Sequence, residues 1–254
     1  ASSVSPSFDP NIRDIENYLD NNISLAFEPG STMKIYTYMA VMENGNYDGS
    51  KKYKSGTYVT SDGTEIGDWD RRGWGTVTFD RGFALSSNVG VINLIKNYIN
   101  KDILKNYFTK MGFGSKTGIE LANEVSGKVQ FKYETEVFNA GFGQGITTTP
   151  IQHIKALTSI SNDGILLQPY IIDKIVDQET GEIVYQGEKT ELYRVASSET
   201  ISKMKDLMED VVAGSPSYAT GYTYYMDGYD IIAKTGTAQI AKENGKGYYK
   251  DKTI

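Results

Sequence analysis

Glu28-Pro29-Gly30-Ser31-Thr32-Met33-Lys34 leads into residues 31–44 (STMKIYTYMAVMEN), where apolar residues recur at helical spacing. Pro29-Gly30 marks a turn before this helix, and Gly45 a C-cap after it. The spacing of three puts Ser31 and Lys34 on one face, one turn apart and within hydrogen-bond reach. Ser31 then lies at a helix N-terminus, where free N–H groups and the dipole favour developing negative charge. A serine hydroxyl is a poor nucleophile until a base takes its proton. Lys34 serves only when neutral, which requires burial or a second cation nearby. Ser202-Lys203-Met204-Lys205 has the same spelling but sits inside an amphipathic helix, and reads as solvated surface.

Two further elements lie later in the chain. Ser86-Ser87-Asn88 stands at the turn before a helix (VGVINLIKNYI). From one loop, Ser86 can relay a proton between Lys34 and a leaving amine while Asn88 binds a substrate amide. Helix capping by Ser87 or Asn88 is the competing reading. Lys234-Thr235-Gly236-Thr237 falls in an apolar run expected to form a strand from Asp230 to about Ile240. A strand beside the nucleophile can pair with an extended peptide. Gly236 admits a close backbone, the Thr237 N–H can donate to an oxyanion, and Lys234 with Thr235 and Thr237 can hold a carboxylate. Lys54-Ser55-Gly56-Thr57 and Lys116-Thr117-Gly118 share the spelling but not the place in the order.

The order Ser-x-x-Lys, Ser-x-Asn, Lys-Thr-Gly is the motif set of penicillin-binding proteins and serine β-lactamases. The surrounding sequence resembles the class B, monofunctional penicillin-binding proteins, with a flavour of the division-type enzymes of Gram-positive bacteria. The likeness is carried by Glu28–Lys34, Asp68-Trp69-Asp70, Gly82–Gly90, Thr117–Leu121, Gly143–Ile146 with Thr149–Gln152, and Lys234–Ala241. It implies an α+β transpeptidase fold, an antiparallel sheet flanked by helices, over a single domain spanning 1–254. The family carries strands before the serine helix and after the Lys-Thr-Gly strand, whereas 30 residues precede Ser31 and 17 come after Thr237. A fragment incomplete at both ends is therefore expected. Its opening ten residues resemble the segment after the first hairpin of that sheet.

The resemblance also implies a mechanism. Ser31, deprotonated by Lys34, attacks the penultimate carbonyl of a D-Ala-D-Ala stem peptide, and the backbone N–H groups of Ser31 and Thr237 hold the oxyanion. Ser86 helps protonate the departing D-alanine. Asn88, Lys234, Thr235, Gly236 and Thr237 bind the substrate, and an amine from a neighbouring strand takes the acyl group. β-Lactams would leave Ser31 blocked. The implied partners are peptidoglycan stem peptides, β-lactams, and division or elongation machinery. The implied location is the extracytoplasmic face of the bacterial membrane, anchored by an upstream segment outside this chain. Within the fold, the alternatives are a β-lactamase or a penicillin sensor. Glu120-Leu121-Ala122-Asn123 tempts toward a deacylating glutamate but is one residue short of the class A spacing.

Composition agrees by exclusion. A net charge of −6 argues against a nucleic-acid partner. With no cysteine, thiolate nucleophiles, disulfides and Cys-rich zinc sites are excluded, and a single histidine, His153, argues against most metal sites and His-based relays. No cofactor and no metal are required. Hydrophobic content of 39% and charge of 23% suit an ordinary globular core. The Tyr-rich loop 218–229, Trp69 and Trp74 are candidates to flank the cleft, with plain loop packing as the alternative.

Overall fold

The computed structural model describes Asn11 and residues 18–237, 239–241 and 248–253. A single turn, α1 (Asn21–Ser24), precedes a 3-10 turn (Gly30–Thr32) that runs directly into α2 (Met33–Glu43). Nine of the eleven α2 residues are buried, Lys34 among them. A helix apolar on all sides belongs at the centre of a core. The others pack around it: α3 (Phe79–Ala84), α4 (Asn88–Tyr98), α5 (Lys101–Lys110), α6 (Glu134–Gly141), α7 (Pro150–Ser161) and α8 (Ser198–Ala213).

Their starts follow ordinary capping chemistry. Thr149 caps α7 with Gln152 returning the bond, and Ser197 caps α8. The α8 face of Ile201, Met204, Leu207, Met208, Val211 and Val212 is buried as its spacing predicts.

The strands pair only antiparallel. Among the described residues they form five two-stranded ribbons. β1 (Lys52–Lys54) pairs β4 (Thr76–Thr78), and β2 (Thr57–Val59) pairs β3 (Glu65–Gly67) around Ser61-Asp62-Gly63. β5 (Ile165–Leu167) pairs β8 (Glu191–Arg194), β6 (Lys174–Val176) pairs β7 (Ile183–Gln186), and β9 (Gln239–Ala241) pairs β10 (Tyr248–Thr253). The mixed, antiparallel fold class is as expected, but no continuous sheet joins these ribbons among the described residues.

One element needs correction. Residues 230–237 form no strand, and the strand begins only at Gln239. A strand needs a hydrogen-bonded neighbour. Here the neighbour is a helix, with Ala233 N–H bonding the Met208 carbonyl of α8. The opening ten residues and Ala238 lie outside the described set.

His153, on α7, is enclosed by the rings of Phe113 at 5.0 Å and of Phe27 and Tyr36 at 6.2 Å, with Thr148 Oγ1 2.8 Å from its Nε2. One edge of its ring opens on an apolar groove, so the residue is not fully buried. Desolvation among the rings lowers its pKa to about 4. The unfolded chain therefore takes up a proton near pH 6.5 that the folded chain refuses until about pH 4. Stability from this group is complete above pH 6.5 and is lost as pH falls toward 4, by up to about 3 kcal/mol. Urea unfolding across that window should show a steeper decline for the native chain than for His153→Gln. Equal declines would show that the histidine does not titrate as its surroundings dictate.

Candidate active site

Residues 232–237 divide two depressions. On one side lies an apolar groove of about 900 Å3 between α2, α7 and α8. On the other is a polar cleft of about 770 Å3 lined by Ser31, Ser86, Asn88, Thr235 and Thr237. Five of the residues singled out in the sequence thus meet in one cleft, although they span three separate stretches of chain.

Ser31 is held by the turn before α2. Gly30 adopts a φ of +57°, which turns the chain into the helix. Its N–H bonds Gly143 O at 3.0 Å, and a Cβ at Gly143, itself at φ +86°, would come within 2.0 Å of Gly30 O. Two glycines in contact therefore fix where Ser31 points. The serine sits in the 3-10 turn rather than in α2 proper. Among the described residues its Oγ makes no hydrogen bond, and no bond joins it to Lys34 as the spacing had led one to expect.

Lys34 is fully buried below the cleft floor. Its ammonium donates to Ser86 O and, at 3.2 Å, to Ser86 Oγ. Lys234 Nζ reaches the same Oγ at 2.8 Å. Two lysine amines therefore converge on one hydroxyl. Burial lowers the Lys34 pKa well below the usual lysine range, the charge of Lys234 lowers it further, and Asp68 partly opposes both. Lys234 is only part-buried as a residue, but its ammonium is enclosed by Ser86, Thr235 and the Phe83 ring. Desolvation there lowers its pKa to about 7.

Ser86 has a φ of +55°, an uncommon conformation for a side-chain-bearing residue. That geometry gives its carbonyl to Lys34 while its Oγ receives both lysines. Strained backbone of this kind clusters at working sites. Ser87 takes the capping role that was the competing reading of the triplet: it is buried, and its Oγ accepts Gly90 N–H. Asn88 opens α4 and donates through Nδ2 to Gly67 O at 3.0 Å, which ties it to β3 at the cleft wall.

Asp68 stands out in the sequence only through the family likeness, and its task is not legible there. It is buried and accepts from Ser87 Oγ, Val89 N and Gly56 N, so it clamps the start of α4 to the β1–β2 connection. Thr220 also escapes a reading of the sequence. Its hydroxyl donates to Ala84 O at 3.1 Å and receives Thr235 Oγ1 at 3.2 Å, fastening residues 234–237 to the end of α3. Nothing in the local spelling marks it, because the contact is made by a loop 15 residues before Thr235. Asn139 and Gln144 line the cleft as well. Trp69 flanks it and donates to Leu85 O, with Trp74 5.4 Å away.

Gly236 departs from expectation. A side chain there would point at Thr32, 3.0 Å away, and the residue lines the apolar groove rather than the cleft. Glycine at this position lets residues 234–237 lie against the 3-10 turn that carries Ser31.

The look-alike motifs are structural. Ser55 is tied to Gly75 O and Trp74 N, and Thr117 is bonded to Glu124. Ser202 and Lys205 are exposed, while Lys203 pairs with Asp80 at 2.8 Å. Glu120 accepts Ile171 N–H outside the cleft. The carboxylates lining the cleft are Glu65, paired with Arg71 at 2.8 Å, and Asp68.

The whole chain, residues 1–254, matches the family profile described as the penicillin binding protein transpeptidase domain. Stage V sporulation protein D of Bacillus subtilis is 33% identical over 251 residues, covering 95% of this chain and 38% of that protein. The chain thus spans well under half the length of this relative. The crystal structure of penicillin binding protein 2X from Streptococcus thermophilus superposes with a TM-score of 0.83 at 27% identity, over 92% of this chain and 35% of the other. Penicillin binding protein 3 of Mycobacterium tuberculosis in complex with ampicillin gives 0.82 at 28% identity, over 91% and 52%.

Proposed function

Since the chain belongs to the penicillin-binding protein transpeptidase domain family, alongside the class B proteins, we propose that it is a D,D-transpeptidase acting through an acyl-serine at Ser31. The observation that carries this reading is the convergence of Lys34 and Lys234 on Ser86 Oγ beside Ser31 in one polar cleft.

Lys34, neutral in its buried site, takes the Ser31 proton as the serine attacks the penultimate carbonyl of a stem peptide ending in D-Ala-D-Ala. The Ser31 and Thr237 N–H groups have no partner among the described residues and are free to hold the oxyanion. The proton returns through Ser86 to the leaving D-alanine amine. Lys234, Thr235 and Thr237 hold the terminal carboxylate, and Asn88, oriented by Gly67, binds the peptide amide. A second strand's amine then attacks the ester, which completes the cross-link and restores Ser31.

This work belongs on the extracytoplasmic face of the membrane, where peptidoglycan is built, and division or elongation machinery would be the partner. No described helix is long and apolar enough to cross a membrane.

A β-lactam imitates the donor and stops at the acyl stage unless a base activates water. Asp68 is committed to the start of α4, while Glu65 forms an exposed pair with Arg71. A long-lived acyl-enzyme is the outcome that separates a transpeptidase from a β-lactamase. Intact-protein mass spectrometry after incubation with penicillin should show a persistent adduct of one drug mass. Drug consumed with no persisting adduct would convert the reading to a β-lactamase. Release of D-alanine from a D-Ala-D-Ala donor, with transfer to an added amine, separates a transpeptidase from a sensor.

A further inference from the structure

The loop between α8 and the catalytic run exposes an unusual concentration of aromatic surface. Tyr222, Tyr224, Tyr225 and Tyr229 are 44%, 69%, 50% and 68% exposed. Its base, in contrast, is firmly held. Arg81 stacks 3.2 Å over the Tyr218 ring, Tyr218 Oη donates to Asp210, Gly221 N–H bonds Val211 O, and Thr220 is bonded to both Ala84 and Thr235. Tyrosines displayed from an anchored base are positioned for contact, because each ring offers rigid area at low entropic cost.

Between the end of α8 and this loop lies a depression of about 330 Å3 bordered by Tyr225 and Tyr229, with Glu209 and Asp230 beside them. Aromatic faces flanked by carboxylate acceptors suit a neutral ligand rich in hydroxyls: apolar C–H faces lie on the rings and O–H groups donate to the acids. They suit a nucleic acid poorly, because phosphates would meet those acids.

The depression is separate from the cleft but lies a short stretch of chain from it. Tyr225 lies five residues after Thr220, and Tyr229 five before Lys234. Each is therefore at most about 18 Å along the chain from a residue at the reaction centre, the extended length of a five-residue stem peptide. A sugar that bears such a peptide lies within a similar distance of Ser31 when the far end of the peptide is there, so the two lengths are of one scale.

We infer that the 220–229 loop is a glycan-binding surface, on which Tyr225 and Tyr229 stack against a sugar of the strand carrying the donor peptide while Glu209 and Asp230 accept from its hydroxyls. This deepens the transpeptidase reading and rests on it. The surface makes the enzyme prefer a donor still attached to glycan, and it does not touch the acylation chemistry.

The test compares two donors on the intact protein: the free stem pentapeptide, and the same peptide on its disaccharide. D-alanine release should show a KM about tenfold lower for the disaccharide-linked donor, with kcat little changed. In Tyr225→Ala/Tyr229→Ala that advantage should vanish while penicillin labelling proceeds at the original rate, and Tyr225→Phe/Tyr229→Phe should retain it. Equal KM values for the two donors on the unmodified protein overturn the inference, as does an advantage that survives the double alanine variant. Loss of penicillin labelling in that variant also overturns it, assigning the rings to the fold. Failure of penicillin to label the unmodified protein is a different result, since it removes the acyl-serine reading itself.

Discussion

Ser31→Ala will fold as the native chain does and will form no adduct with penicillin. Ser31 Oγ is partnered by nothing among the described residues, so its removal leaves no buried donor or acceptor unpaired and should change stability by no more than about 0.5 kcal/mol. The chemical loss is total at the acyl step, because neither lysine can form the ester in its place. Nucleophile deletions in serine hydrolases reach roughly 10⁶-fold in kcat, and a comparable loss is expected here. Ser87→Ala supplies the contrast. That hydroxyl is buried, caps α4 and donates to Asp68. Removing it should cost about 1–2 kcal/mol of stability through the lost cap and the Asp68 acceptor left short, yet labelling should persist. Mass spectrometry of the two variants, with urea unfolding alongside, separates chemistry from architecture. An adduct on Ser31→Ala would transfer the nucleophile to another residue, with Ser86 the first to examine.

Most of the site was legible because its chemistry demands particular residue types in a particular order. Ser31, Ser86, Asn88, Thr235 and Thr237 meet in the cleft as that order implied. The helices were legible because caps and burial faces are local: Thr149 with Gln152, and the apolar stripe of α8. What escaped depends on contacts made across the chain. Asp68 reaches α4 over about 20 residues, and Thr220 joins two stretches that share no pattern. The pairing of Lys34 with Ser86 rather than Ser31 escaped for the same reason, since helical spacing speaks of neighbours one turn apart and not of a loop 52 residues on. Residues 230–237 read as a strand because they are apolar and β-branched. Composition sets that preference, but pairing is decided by what lies alongside, and here that is α8.

The lysine pair carries the second large effect, visible as a pH profile. Lys34 must be neutral to accept the Ser31 proton, so acylation rises with pH through its lowered pKa. Lys234 must be charged to hold a carboxylate, and that charge is lost as pH passes about 7. The two requirements oppose each other, and kcat/KM for penicillin should be bell-shaped with its falling limb near pH 7. The lysines are also coupled: the positive charge of Lys234 helps to keep Lys34 unprotonated, so losing it raises the Lys34 pKa and leaves less of that lysine neutral at the same pH. Lys34→Gln should lower acylation by about 10²–10⁴-fold and flatten the rising limb, which is the loss expected of a general base. Lys234→Arg keeps a permanent cation and should remove the falling limb while preserving the rising one. Lys234→Gln should also lack the falling limb, but its rising limb should move to higher pH because burial alone then holds the Lys34 pKa down, against the charge of Asp68. A falling limb that survives in Lys234→Arg would place that titration on another group, and a Lys234→Gln profile that rises at the native pH would break the coupling between the two lysines.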